Sequence, residues 1–304
     1  MRRGGFFLKN ILITGGTGFV GSALTKYLTS LGNEVFILTR SNKKTNERKV
    51  HYVQWLAEQE IELPPIDAVI NLAGESINGR WTEEKKKAIL NSRLKVTENL
   101  LQLVQKMPQK PEVWVNASAI GYYGTSESEV FTERTTSAGT DFLAEVVRAW
   151  ETKASEASEL GCRTVITRFG LILGRNGGVL PQLSLPYRFF AGGTVGSGSQ
   201  WVSWVHIEDV VWVIQKAIED NDYRGPVNVT SPNPVTMKEF GQVTGEVMHR
   251  PHWLPAPSFT FKLLFGEMSM LILKGQQVIP EKAVNLGYVF KFPHLKGALH
   301  DLLQ

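Results

Sequence analysis

Cysteine is almost missing from this chain: its 304 residues include one, Cys162. A single thiol cannot close an internal disulfide and cannot build a cysteine-based metal site. The six histidines and the carboxylates do not stand at metal-ligand spacing, so no metal is expected. Such cysteine usage fits a reducing compartment, and a cytoplasmic location is the expectation. Long apolar runs are absent too; no stretch reaches the length of a membrane span. The opening MRRGGFFLKN carries too short an apolar piece for a signal-peptide core and reads as a short disordered leader. A strong charge bias is likewise lacking, with 33 basic against 29 acidic residues and a net charge of +4. The longest basic cluster, Lys85-Lys86-Lys87, follows Glu83-Glu84 and reads as a solvated helix face. Basic and aromatic residues do not interleave, which argues against nucleic acid as a partner.

What is present is an ordinary globular composition, 42% hydrophobic and 20% charged. Short apolar runs at 11–13, 34–38, 50–55, 67–72, 113–116 and 164–168 predict strands. Between them, Val20, Leu24, Tyr27, Leu28 and Leu31 recur at helical spacing up to Gly32. Residues 82–107 predict one long or two short helices, with Thr82 as N-cap and Glu83-Glu84 in the first turn. Residues 140–160 predict another helix. Alternating strands and helices imply a parallel sheet covered on both faces. Beyond about residue 170 the texture changes to a glycine-rich stretch, 174–204, with prolines crowding 232–257. There Asp209 is expected to cap a helix over 210–220, and Val227–Val229 to form a late strand that returns to the main sheet. The expected organisation is a nucleotide-binding region at 9–170 and a smaller capping region at 171–304.

One segment carries chemistry outright. Gly15, Gly18 and Gly21 lie three apart, with Thr17, Phe19 and Val20 between them, directly between the first strand and the first helix. Glycine permits the tight turn and lets a diphosphate approach the backbone, where the N–H groups and the positive helix end meet it. The fold expected is therefore α/β, a Rossmann-like doubly wound parallel sheet with a smaller C-terminal α/β capping region. An NAD site places an acid at the end of the second strand to hold the ribose 2′-hydroxyl. Here that place reads Thr39-Arg40-Ser41, followed by Lys43 and Lys44. A guanidinium pairs with a 2′-phosphate through two parallel N–H bonds, so NADP is favoured over NAD. Leu72, Ala73, Gly74 and Glu75 end the fourth strand and should border the cofactor.

The glycine spacing, Asn71-Leu72-Ala73-Gly74 and the segment from Ser118 to Tyr123-Gly124 together resemble the extended short-chain dehydrogenase/reductases, the NAD(P)-dependent epimerases and dehydratases. NASAIGYYG, RFGLILGRNGG, SWVHIEDV and GQQVIPEKAVNLGYVF are similar to one branch, the "epimerase family" proteins with their own C-terminal segment at about 250–300. The resemblance runs from Asn10 to about Leu299. It implies hydride transfer on a nucleotide-sugar-like substrate and a family-style homodimer. It also implies a Tyr-x-x-x-Lys dyad in which lysine lowers the tyrosine pKa. None of the seven tyrosines has lysine four residues later. Aligning Glu151 with the family's usual glutamate puts Leu143 and Val147 at the dyad positions.

Ser118 remains at the strand end where the family keeps a hydroxyl, and Tyr122 or Tyr123 is then the candidate proton donor, or packing. For the substrate, the resemblance points to Arg168, Arg188, Gln200 and Trp201. The apolar run 264–280 reads as packing or as a dimer contact. Two functions follow: an epimerase/reductase-like enzyme without the usual dyad, or a non-catalytic NADPH-binding sensor.

Overall fold

The computed structural model describes residues 2–3, 6–41, 43, 45–55, 61–259, 263 and 266–304. Seven parallel strands form its centre: β1 (Asn10–Thr14), β2 (Glu34–Thr39), β3 (Val50–Gln54), β4 (Ala68–Asn71), β5 (Val113–Ala119), β6 (Arg163–Phe169) and β7 (Gly225–Val229). Their spatial order is 3-2-1-4-5-6-7. The order reverses beside β1, and ligands of such sheets sit in the crevice at the carboxyl ends of the strands flanking that reversal.

The central strands are apolar on both faces because both are covered. On one side, Leu24 and Leu28 of α1 (Phe19–Ser30) and Val210, Val213 and Ile214 of α5 (Ile207–Glu219) pack onto Ile11, Ile13 and Ile70. On the other, Leu100, Leu101 and Val104 of α2 (Glu83–Lys106) pack onto Leu12, Val69 and Trp114. Thr82 caps α2 by accepting the Lys85 N–H at 3.2 Å. α3 (Phe142–Ser155) is capped by Asp141, which accepts from the Leu143 and Ala144 N–H groups.

The second region has its own core. α4 (Leu180–Arg188), α6 (Met237–Met248) and the terminal helix Leu295–Leu303 enclose Leu180, Trp204, Phe240 and Leu299. Strand pairing ties it to the first region. β7 pairs in parallel with β6, and Gln277–Val278 pairs in parallel with Val130–Phe131.

Several expectations are corrected. Arg2–Arg3 pairs antiparallel with Phe6–Phe7, so the leader forms a two-strand ribbon; its residues 1, 4 and 5 lie outside the described residues. Asp209 does not cap α5. It is buried inside the first turn and accepts N–H bonds from Lys291 and Phe292 and the Tyr288 hydroxyl. The cap is His206, whose Nδ1 accepts the Glu208 N–H at 3.1 Å. The apolar run, described from Gly266 to Pro280, is broken into short pieces. A 3₁₀ turn (Gly266–Ser269) and a single helical turn (Met270–Leu273) lead into the strand Gln277–Val278.

His206 is expected to make the fold acid-sensitive. Burial against the Phe292 ring, 3.9 Å away, pushes its pKa below the usual value, although Glu208, Asp301 and Asp209 pull the other way. A histidine with a depressed folded pKa is stabilising in its neutral form above its unfolded pKa of about 6.5. That contribution is lost as pH falls below that value toward the folded pKa. His206→Asn keeps a capping oxygen but does not titrate. Thermal melts should show it losing about 2 °C less than wild type between about pH 7.5 and about pH 5.5.

Candidate active site

The glycine turn is a cradle that side chains would fill. Gly15 has φ of +70°, and a Cβ on it would lie 2.7 Å from the Leu72 carbonyl carbon and oxygen. A Cβ on Gly21 would lie 2.2 Å from the Gly15 oxygen. Helix α1 therefore starts directly against the turn, with Gly18 as its N-cap and no side chain satisfying its first N–H groups. Phe19 has a different task for its side chain. Cβ atoms on Gly174 and Gly177 would each lie 2.4 Å from its ring, so the ring is wedged against that hairpin and fixes the first turn of α1. Space and free donors at a helix start fit a dinucleotide diphosphate.

Thr39 ends β2, and Arg40 follows it with an exposed side chain. Lys43 is exposed, and Lys44 lies outside the described residues. Across the crevice, Glu75 accepts from Lys85 at 2.9 Å. That bond, with the charges of Lys85, Arg40 and Arg93, holds the Glu75 carboxyl below its usual range.

A cavity of about 540 Å³ opens from the crevice. Val20 of α1 and Leu72 after β4 are among the residues that line it. Leu143 and Val147 of α3 line its wall, so the positions aligned with the family dyad carry two aliphatic side chains on the cavity. Met268, Met270 and Leu271 line it from the C-terminal segment, so part of the run expected to be packing faces this space.

The expected catalytic residues separate here. Ser118 lines the cavity, but its hydroxyl donates to Glu151 Oε1 at 2.5 Å. Glu151 also receives Arg168 through two bonds, Nε to Oε1 at 2.8 Å and Nη2 to Oε2 at 2.7 Å. Arg168 Nη1 donates to the Tyr123 hydroxyl at 3.0 Å, which donates to Asn228 Oδ1 at 2.8 Å. Burial opposes the charge on Arg168, but Glu151 outweighs it and raises the guanidinium pKa. Burial also raises the Tyr123 phenol against the pull of Arg168. Tyr122 lays its ring on the Arg168 guanidinium, 3.5 Å from ring centroid to Cζ, and donates its hydroxyl to the Thr136 carbonyl. Neither tyrosine is among the residues lining the cavity. The Tyr123 hydroxyl is buried and committed to Asn228, and the Tyr122 hydroxyl to the Thr136 carbonyl.

The substrate candidates separate as well. Arg168 is spent on Glu151. Arg188 is exposed at the end of α4, away from the cavity lining. Gln200 is buried, and its Nε2 ties the Val195 and Ile272 carbonyls together. Trp201 lines the cavity while its indole N–H donates to the Glu127 carbonyl. Sequence reasoning missed Arg93. The signal was available, since Arg93 lies four residues after buried Ile89 and four before buried Thr97, on the inward stripe of α2.

A doubly wound parallel sheet with this cradle at its first βα turn defines a dinucleotide-binding protein. The chain belongs to the NAD dependent epimerase/dehydratase family, whose sequence pattern matches residues 11–230; a domain of unknown function, DUF1731, matches residues 256–302. It is 48% identical over 297 residues to the epimerase family protein YfhF of Bacillus subtilis, covering 97% of this chain and 98% of that one. Among solved structures it is similar to the human epimerase family protein SDR39U1 with NADPH, at 35% identity and a TM-score of 0.88, covering 96% and 98% of the two chains. It is also similar to a nucleoside-diphosphate sugar epimerase from Corynebacterium glutamicum, at 31% identity and a TM-score of 0.79, covering 97% of this chain and 58% of that one. Among the described residues, no helix is long and apolar enough to cross a membrane.

Proposed function

We propose that the protein is an NADPH-dependent oxidoreductase or epimerase-like enzyme that acts on a small molecule with an apolar reacting portion, without a tyrosine proton donor. The observation that carries this reading is the cavity: its lining includes Val20 and Leu72, next to the glycine cradle, together with the aliphatic side chains of Leu143 and Val147. When bound, NADPH supplies the hydride. The chain's own residues seat the diphosphate at the start of α1 and exclude water from the apolar wall. The Ser118 hydroxyl commits its hydrogen bond to Glu151 Oε1. A nucleotide-sugar substrate draws support from the name of the Corynebacterium protein; of the arginines proposed for the substrate, Arg168 is paired with Glu151 and Arg188 is exposed at the end of α4.

NADP preference rests on Arg40, exposed at the end of β2, and on the NADPH in the human relative. Calorimetric titration with NADPH and NADH tests it. Charge-assisted bonds to a phosphate contribute about 1.5–3 kcal/mol, so Arg40→Ala should weaken NADPH about 10- to 100-fold and leave NADH nearly unchanged. Equal losses for both cofactors would remove the preference. A second reading, an NADPH-occupancy sensor without turnover, is favoured by the absence of both tyrosines from the cavity lining. NADPH consumption with a physiological substrate at enzyme-like rates would eliminate it.

A further inference from the structure

Few charges reach the cavity wall. Among the described residues lining it, Arg93, Asp141 and Lys274 carry them. Asp141 is engaged by the N–H groups that begin α3, and Lys274 is exposed. Arg93 is different. It is half-buried and lies against the Trp150 indole, with 5.1 Å from Cζ to the ring centroid. Its Nη1 donates to the Ile89 carbonyl at 2.9 Å and the Glu75 carbonyl at 3.1 Å, which fixes the plane of the fork. Its Nε and Nη2 have no hydrogen-bond partner among the described residues, and the nearby Glu75 carboxylate is paired with Lys85 instead. Burial works against its charge, with Glu75 a partial offset.

A guanidinium stays protonated in proteins. Partly stripped of water, with open donors and apolar neighbours, it is stabilised by any oxyanion that meets the free edge of the fork. A carboxylate matches that edge with two parallel bonds. The rest of the wall, including Leu143, Val147 and Met268, suits hydrocarbon.

We propose that Arg93 is the anion anchor of this cavity, and that the ligand is a small, largely apolar molecule carrying one carboxylate. This rests on the reading of the cavity as the substrate space. It places recognition in α2 and α3 of the nucleotide-binding half. The opposite wall, from the C-terminal segment, contributes shape.

The test is calorimetric titration with 4-phenylbutyrate and with 4-phenylbutanamide, which has nearly the same shape without the charge. Both are titrated into the full-length protein with and without saturating NADPH, for wild type, Arg93→Met and Arg93→Lys, after matched thermal melts. Wild type should prefer the acid about 10-fold or more, Arg93→Met should lose that preference while still binding the amide, and Arg93→Lys should keep part of it. NADPH affinity should not change in either variant. Equal binding of acid and amide to wild type, or no binding of either, overturns the proposal. So does a loss of NADPH affinity in Arg93→Met as large as its loss of acid affinity, which would assign the guanidinium to a cofactor phosphate. The titrations without NADPH separate a failure of the anion anchor from a failure of the cofactor reading.

Discussion

Glu151→Gln should destabilise the protein by about 3–5 kcal/mol, read as a shift in the urea unfolding midpoint. The carboxylate projects from the inward face of α3 with its side chain 11% exposed, and its partner Arg168 is 3% exposed. Removing the negative charge leaves a guanidinium that cannot shed its proton to escape the desolvation. The reverse deletion, Arg168→Met, leaves an acid that can neutralise itself, so its effect should be smaller. The double variant Glu151→Gln/Arg168→Met should recover part of the loss, because a neutral interior no longer strands a charge. A single variant Glu151→Gln within about 1 kcal/mol of wild type would mean that water reaches the pair and that the network is not the buried support described above.

The second large effect is expected at Gly21. An alanine methyl there would meet the Gly15 oxygen at 2.2 Å and the Gly16 Cα at 2.6 Å, both backbone atoms that no rotamer change can move. Helix α1 must lift away from the turn, and overpacking of this kind typically costs about 1–3 kcal/mol of stability. The same shift misaligns the N–H groups that face the diphosphate. NADPH affinity should fall by about 100-fold, equivalent to about 2.7 kcal/mol. Titration of Gly21→Ala beside a melting curve checks both. NADPH affinity close to wild type would remove the glycine turn from the binding site.

The parts of this fold legible in the sequence are those set by neighbours along the chain. The turn from Gly15 to Gly21, the stripe of α1 and the Thr82 cap all depend on residues within one or two turns of each other. The misread parts depend on distant partners. Asp209 has the sequence context of a cap, yet its acceptors are claimed by residues 288–292, about eighty positions later. Tyr123 stands beside a strand end where the family does chemistry, but β6 and β7 supply the Arg168 and Asn228 that bury its hydroxyl. Arg93 and Glu151 share one lesson: each is a charge on the inward stripe of a helix, a position a single sequence marks but does not explain. Helix periodicity shows that such a group is inside; only the tertiary structure shows whether it meets an opposite charge, as Glu151 does, or open space, as Arg93 does.

The strand β7 has a consequence for how the chain is made. Asn228 gives its backbone N–H to Glu133 and its side-chain amide to the Ile279 carbonyl, while the Lys282 ammonium binds the Arg224 and Pro226 carbonyls. Glu133 precedes the strand, but Ile279 and Lys282, which complete the far edge of the nucleotide-binding sheet, leave the ribosome about fifty positions after it. Until they emerge, a nascent chain carries a seventh strand with carbonyl groups and an asparagine amide awaiting partners. The C-terminal segment acts as the closing step of biosynthesis, and a chain cut short before Ile279 would expose that unfinished edge to other nascent chains.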